Sequence, residues 1–268
     1  MSADQARRAV ERFRLIGLDG AGEEVDRWTY LECLHYETRH EGAVYVLDAG
    51  AWYRIELGLV AEVDNAIAGL RESGLRLPSA GRRQKERAYN EMAAKRADLA
   101  LVDRRLVYLQ GRSSVEPCDL LSSGRHLVHV KPCKGGSAPL SHLFAQATVS
   151  AESLLGEPAF REKFQARLCK EAPTFAPLLD EPIRAREFCV VLALITDHAT
   201  TGAPARALPF FSRLTLRIAV QRLRNMGFKV YVDEIARTLS VPPPAGGTRV
   251  RRAQKAPAPQ GGHQVVRK

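Results

Sequence analysis

Apolar residues recur along the first part of the chain with a period that changes from helical to strand-like and back. The pattern predicts an amphipathic helix, two alternating strand segments and a second helix, over residues 4–16, 28–36, 43–56 and 57–72. Gly50 interrupts the second alternating segment, which predicts a bend in a β-meander. These elements indicate a small α/β extension over residues 1–76, and turn-forming residues place a boundary within residues 76–82.

Helical periods and short apolar runs continue from residue 82 onward. Helices are predicted over residues 84–95, 140–155, 159–169 and 214–225, and strands over residues 99–109, 115–121, 126–131, 188–195 and 229–232. The run at 188–195 is apolar throughout, as expected for a strand that is covered on both faces. This order indicates one mixed sheet flanked by helices, an α/β (α+β) domain over residues 82–240.

Positive charge is concentrated at the carboxyl end of the chain. The formal net charge is +10, and residues 241–268 contain six lysines and arginines but no acid. This proline-rich segment has too few apolar residues to form a core, so we predict a disordered basic tail. Arg251 and Arg252 are its candidate contacts to nucleic-acid phosphates. The alternative is a solvated terminus that only aids solubility.

Several classes of protein are disfavoured by what the chain does not contain. No segment approaches the roughly 20 consecutive apolar residues of a membrane helix. The amino terminus is polar and lacks the apolar centre of a signal peptide. Five cysteines with wide spacing and no CxxC pair do not indicate a disulfide framework. We therefore expect a cytoplasmic protein that does not associate with membranes.

Acidic and basic side chains on two neighbouring predicted strands are suited to phosphodiester hydrolysis. Asp119 lies on the first strand, and His129 and Lys131 lie on the second, two residues apart and therefore on one face. Pairing of the apolar residues of the first strand with Val128 and Val130 would put Asp119 on that same face. We expect the Asp119 carboxylate and the Lys131 ammonium within roughly 8 Å, the spacing of diagonal cross-strand neighbours.

Further acids could complete such a site. Glu116 reaches the face of Asp119 only if Pro117, which cannot donate to the ladder, marks a bulge. Metal ligands are thus predicted at Asp119, His129 and Glu116, with Lys131 as the catalytic ammonium. Secondary candidates, each of which could equally be an ordinary surface acid, are Glu86, Glu91 and Asp103.

This arrangement resembles the PD-(D/E)xK nuclease core over residues 84–195. The resemblance implies a restriction-endonuclease-like fold, a divalent metal (Mg²⁺ or Mn²⁺) and DNA, rather than RNA, as substrate. His129 departs from the pattern, because that family usually has an acid there. Imidazole suits Mn²⁺ or Zn²⁺ better than Mg²⁺, so the departure leaves a variant active site or a degenerate, non-cleaving one.

A longer resemblance covers about residues 28–235. Six strings carry it: AYNE at 88–91, LALVDR at 99–104, EPCDL at 116–120, HVK at 129–131, SHLFAQ at 141–146 and LPFFS at 208–212. They resemble a sporadically distributed, uncharacterised bacterial family. The resemblance implies a defence or mobile-element role and a nuclease-like activity. Members are typically longer, which implies that this chain is a short form or begins inside a longer gene.

Residues after the hairpin are candidates for substrate contact. Lys134 lies in a glycine-containing loop, and Ser141 and Gln146 lie about one turn apart on the next predicted helix. A zinc site is a weaker alternative, because C-x7-H-x2-H-x3-C (Cys118, His126, His129 and Cys133) fits no common module. The sequence therefore predicts a metal-dependent DNA nuclease. The alternative is a non-catalytic nucleic-acid-binding or interaction module, with a partner protein or a second copy of the chain.

Overall fold

The computed structural model describes residues 3–103, 107, 114–133, 137–197 and 204–238. These residues belong to one compact unit that ends at Thr238. The predicted tail at 241–268, with Arg251 and Arg252, lies outside the described residues, and so does Lys134. Among the described residues, no helix combines the length and the apolarity that crossing a bilayer would require.

The amino-terminal elements form two small antiparallel sheets between two helices. They are α1 Ala3–Arg12, β1 Arg14–Leu18, β2 Glu24–Thr29, β3 Tyr36–His40, β4 Ala43–Asp48, β5 Ala51–Ile55 and α2 Leu57–Ile67. The strands β1 and β2 form a hairpin, and β3, β4 and β5 form a meander. Gly50 has φ +80° in the turn from β4 to β5, so the predicted bend is confirmed. The predicted helix at 4–16 is wrong in its last turn, because the chain enters β1 at Arg14.

The remaining elements alternate between helices and the strands of one larger sheet. They are α3 Glu86–Ala93, β6 Leu99–Leu101, β7 Leu120–Ser122, β8 His126–Pro132, α4 Ala138–Gly156, α5 Pro158–Glu171, β9 Cys189–Thr196, α6 Phe210–Asn225 and β10 Lys229–Ala236. Short 3-10 helices occur at Pro173–Leu179, Ala185–Glu187 and Pro204–Ala207. Gly227 ends α6 with φ +94°, where the amide of Phe228 bonds back to Leu223.

The large sheet has the order β10-β9-β8-β7-β6. Strands β10, β9 and β8 are parallel, whereas β7 and β6 are antiparallel to their neighbours. One core lies between the sheet and α4, α5 and α6, and it includes Leu127 and Leu192. A second core lies on the opposite face with α3, and it includes Val128 and Val130. The mixed α+β class is confirmed, and β9 is buried along almost its whole length as predicted.

Two of the predicted strands are shorter than expected. The strand predicted at 99–109 ends at Leu101, and the strand predicted at 115–121 begins only at Leu120. Cys118 belongs to the core of Leu127, whereas Leu120 belongs to the core of Val128. Residues 116–119 therefore do not alternate as a strand would. Proline has no amide hydrogen to donate to a ladder, which accounts for the break around position 117.

The amino-terminal extension packs against the large sheet. Arg213 of α6 forms an ion pair with Asp64 of α2. The Ser73 amide and hydroxyl both bond to the Asp233 carboxylate of β10. Ala80, within the predicted boundary at 76–82, donates its amide to the Ala236 carbonyl at 3.0 Å. The boundary thus lies in a segment that runs beside β10, and the division into two domains stays a prediction.

Candidate metal centre

Three carboxylates converge at the point where β6 ends and β7 begins. One oxygen each from Asp103, Glu116 and Asp119 lies within 4.8 Å of the other two. Strands β6 and β7 are antiparallel, so residues that follow β6 lie beside residues that precede β7. The amides of Val102 and Asp103 both bond to the Asp119 carbonyl, at 2.8 and 2.9 Å. This backbone contact brings Asp103 to Asp119.

Asp119 is the most deeply buried of the three acids, with 6% of its surface exposed. Its carboxylate accepts hydrogen bonds from the Val130 amide at 2.7 Å and from the Asn90 side chain at 3.2 Å. Burial above all, with the neighbouring carboxylates of Glu116 and Glu86, raises the pKa of Asp119 to about 8, although the Val130 amide lowers it. A bound cation would oppose this shift by favouring the ionised carboxylate.

Glu116 is held at the centre by helix α4. The Gln146 amide donates to the Glu116 carboxylate at 2.6 Å, and the Ser150 hydroxyl donates to the Pro117 carbonyl. The segment before β7 is thereby tied to α4. The structure thus brings Glu116 to Asp119 through irregular backbone around Pro117. A break in the strand at Pro117 is what the sequence analysis requires for Glu116 to reach Asp119.

A cavity of about 460 Å³ opens beside the three acids. Lys131, near the end of β8, reaches into it, and its ammonium lies 3.0 Å from the carboxylate of Glu86 in the first turn of α3. Both side chains are about a quarter to a third exposed. The other lining residues are Ser114, Val115, Glu116, Asp119, Val130, His142, Ala145, Gln146 and Val149. The cavity thus combines acids that can hold a hard cation with one ammonium.

His129 lies elsewhere, which corrects the predicted ligand set. It is 1% exposed, and neither ring nitrogen has a hydrogen-bond partner among the described residues. Burial lowers the pKa of the imidazole to about 4. His129 follows the alternation of β8 and shares the face of Leu127, under the helix layer, whereas Asp119 lies in a segment that does not alternate. The structure therefore does not place His129 in the cavity with Asp119.

Two other predicted residues also lie outside the centre. Glu91 is exposed and pairs with Arg87 at 2.8 Å on the surface of α3. The Ser141 hydroxyl lies 3.2 Å from the Thr215 hydroxyl of α6. Unlike Gln146, neither Glu91 nor Ser141 lines the cavity.

The zinc alternative also lacks a centre in the structure. Within the described part of the chain, the carboxylate group of Asp103, Glu116 and Asp119 is the one cluster of three or more metal-binding side chains. Cys118 and His129 are not in it, and the His126 ring lies 2.7 Å from the Ser122 hydroxyl instead.

Sequence reasoning missed Asn90. Its side chain is fully buried between α3 and the sheet, and it donates to Asp119. Among the described residues its side-chain oxygen Oδ1 has no hydrogen-bond partner. A signal was present, because Asn90 lies next to Tyr89 and three residues before Ala93 on the buried face of α3. A buried amide on an apolar helix face needs a polar partner, and here the partner is the central acid.

The amino-acid sequence matches the model of a protein family. The model of DUF6119, a family of unknown function, matches residues 2–236. The chain therefore belongs to that family. No curated protein and no solved structure matches it.

Proposed function

We propose that this family member is a metal-dependent nuclease that hydrolyses DNA phosphodiesters. The observation that supports the proposal is the convergence of Asp103, Glu116 and Asp119 beside Lys131 in one cavity. A carboxylate group together with an ammonium is what metal-assisted hydrolysis of a phosphodiester requires. The antiparallel strands β6, β7 and β8 between α3 and α4 support a restriction-endonuclease-like core. The family resemblance extends the proposal to a defence or mobile-element system.

The ligand set of the proposed centre is made of oxygen atoms only. Three carboxylates suit Mg²⁺ or Mn²⁺, which prefer hard oxygen ligands, and no imidazole is needed. Such an ion, when bound, would polarise the phosphodiester and lower the pKa of an attacking water. The buried position of Asp119 and its two fixed hydrogen bonds would hold one ligand in place before the ion arrives.

Other side chains of the cavity have distinct tasks in this proposal. The Lys131 ammonium stabilises negative charge that develops on the phosphate oxygens. Glu86 holds that ammonium at 3.0 Å and so keeps the lysine side chain oriented toward the acids. Gln146 orients Glu116 through its hydrogen bond, and Asn90 orients Asp119 in the same way.

Incubation of the purified protein with plasmid, single-stranded DNA and RNA, each with Mg²⁺, Mn²⁺ or EDTA, tests the proposal. We expect cutting of DNA with either metal and none in EDTA. Asp119→Asn should be inactive, and Glu91→Gln, which alters an acid outside the cavity, should cut normally. Equal activity of wild type and Asp119→Asn would contradict the proposal.

A non-catalytic nucleic-acid-binding module with a degenerate nuclease core is the second candidate. Two observations favour it: Lys131 is already engaged by Glu86, and His129 takes the place of the usual acid two residues before the lysine. The same incubation separates the candidates. If the protein retains DNA but cuts none of the three substrates with either metal, the non-catalytic binding module is supported. If it neither binds nor cuts nucleic acid, both candidate functions are wrong.

A further inference from the structure

A second cavity, of about 430 Å³, lies between the meander and the start of α6. Three arginines line it: Arg39 from β3, Arg206 from the 3-10 helix Pro204–Ala207, and Arg213 from α6. One acid, Glu37, also lines it. The cavity therefore has a positive net charge. The residues that line it are not among those that line the cavity of the carboxylate group.

Arg39 and Arg206 are available to a ligand. Both are exposed, and within the described part of the chain neither side chain makes a hydrogen bond or an ion pair. Glu37 is already engaged, because its carboxylate accepts from the Ser137 hydroxyl and from the Phe211 amide. The acid thus offers less repulsion to an incoming anion than a free carboxylate would.

Arg213 is the unusual member of the group. Its side chain is 1% exposed, and one nitrogen of its guanidinium is paired with Asp64. Its Nε atom is buried and has no hydrogen-bond partner among the described residues. A buried donor without an acceptor is costly. Because Nε is shielded from solvent, Arg213 contributes to the cavity by placing positive charge at its wall.

The cavity is linked to the carboxylate group through α4. Ser137, which bonds to Glu37, immediately precedes α4, and Gln146, which bonds to Glu116, lies nine residues later. At 1.5 Å per residue this separation is about 13 Å. One DNA strand carries a phosphate about every 3.4 Å of axis, so the stretch of α4 between these two contacts corresponds to about four nucleotides of one strand.

We propose that the cavity of Arg39, Arg206 and Arg213 binds a backbone phosphate of the nucleic acid that is cut at the carboxylate group. The proposal rests on the proposed function and adds how the substrate is held. Arginine is the residue of choice for a phosphate, because its planar guanidinium donates two parallel hydrogen bonds. A phosphate contact carries no base information, so this site positions the strand and does not select its sequence.

Binding of labelled single-stranded and double-stranded DNA in EDTA, across a salt series, tests the proposal without any cleavage. The double variant Arg39→Gln, Arg206→Gln removes two exposed charges and leaves the buried Arg213 in place. We expect roughly tenfold weaker binding at low salt, and a slope of log K against log salt that is lower by about one to two. The control Lys170→Gln, Arg186→Gln removes the same charge from exposed positions outside the cavity and should bind within about twofold of wild type.

Each outcome decides the proposal. Equal losses in the test and control variants, no loss in the test variant, or no DNA binding by wild type would overturn it. Titration with inorganic phosphate provides a separate arm: if the double variant loses phosphate binding while DNA binding is unchanged, the cavity serves a free phosphate and the proposal fails. Mn²⁺ binding reports on the carboxylate group alone, so a wild-type protein that binds DNA through the arginines but binds no Mn²⁺ would defeat the proposed function and leave the phosphate contact standing.

Discussion

Asp119 is held by contacts from two different elements, not by its place in a strand. The Val130 amide comes from β8, and the Asn90 amide comes from α3. Both donors favour a carboxylate at this point, whereas burial disfavours its charge. Opposing influences of this kind are typical of functional sites, where a polar group is kept buried for the sake of chemistry.

The ammonium of Lys131 should be required for DNA cleavage. Lys131→Ala should reduce DNA cleavage by about 100-fold or more, because the loss of one stabilising charge at a developing anion typically costs that much. The change should leave the far-UV circular dichroism and the melting temperature close to those of wild type, since the side chain lies at a cavity. Lys170→Ala removes an exposed cation that does not line the cavity and serves as the control. Unchanged cleavage by Lys131→Ala would show that the ammonium has no part in the chemistry.

His129 gives a prediction about pH. Its pKa is about 4 in the folded protein and about 6.5 in the unfolded chain, so the unfolded state takes up a proton first as the pH falls. Protonation of His129 therefore does not affect the free energy of unfolding above pH 6.5, and it lowers that free energy progressively as the pH falls toward 4. The decrease is up to about 3 kcal/mol, at 1.36 kcal/mol per unit of pKa difference. His129→Leu should remove this loss, which urea unfolding at pH 7 and pH 4.5 would measure.

The same variant also tests the ligand set. Because His129 lies outside the cavity, His129→Leu should cut DNA with Mg²⁺ as wild type does. If the His129→Leu protein folds but does not cut DNA, the imidazole takes part in the reaction, and the ligand set of three carboxylates is wrong.

At the scale of elements, α4 organises the candidate centre. Gln146 orients Glu116, and one turn later Ser150 binds the Pro117 carbonyl. At these positions α4 supplies polar partners to the segment before β7. The helix therefore determines where one of the three ligands lies.

Removal of one such contact should affect both stability and metal binding. Ser150→Ala leaves a buried carbonyl without its donor, which costs about 1–3 kcal/mol. For a unit of this size, thermal unfolding should shift by about 2–4 °C per kcal/mol, and Mn²⁺ affinity should fall by about tenfold. Thr148→Val is the matched control, since that hydroxyl bonds only to the Phe144 carbonyl of its own helix. Equal Mn²⁺ affinity in both variants would mean that α4 does not position Glu116.

At the scale of the whole molecule, the two proposed sites use different parts of the chain. The carboxylate group is built from α3, α4 and the strands β6 to β8, whereas the arginine cavity needs the meander and α6. The ion pair of Arg213 with Asp64 joins α2 of the extension to α6. The extension would therefore serve substrate binding while the large sheet supplies the chemistry.

The basic tail gives a prediction at this scale. Deletion of residues 241–268 should leave the melting temperature almost unchanged, because the compact unit ends at Thr238. DNA retention at low salt should weaken, since six lysines and arginines and no acid are removed. Differential scanning fluorimetry and filter binding measure the two effects. A fall of many degrees in melting temperature would mean that the tail packs against the folded unit.

Features that follow from a repeating pattern of residues are predictable without the structure. The apolar run of β9, the period of α4 and the bend at Gly50 are local, because side-chain direction within a regular element follows its period. The mixed class of the fold followed from the order of these elements. The chemistry of phosphodiester hydrolysis points to Asp119 and Lys131 as site residues, and both line one cavity.

Which other side chains join Asp119 and Lys131 depends on how the elements pack. Asp103 and Glu116 reach Asp119 through backbone that does not alternate, so no period in the sequence fixes their direction. Asn90 meets the same acid across 29 residues of chain, a contact that depends on how α3 packs. His129 obeys the alternation of β8 and is buried for that reason. Regular segments carry their geometry in the sequence, whereas the ends of strands acquire theirs from whatever packs against them.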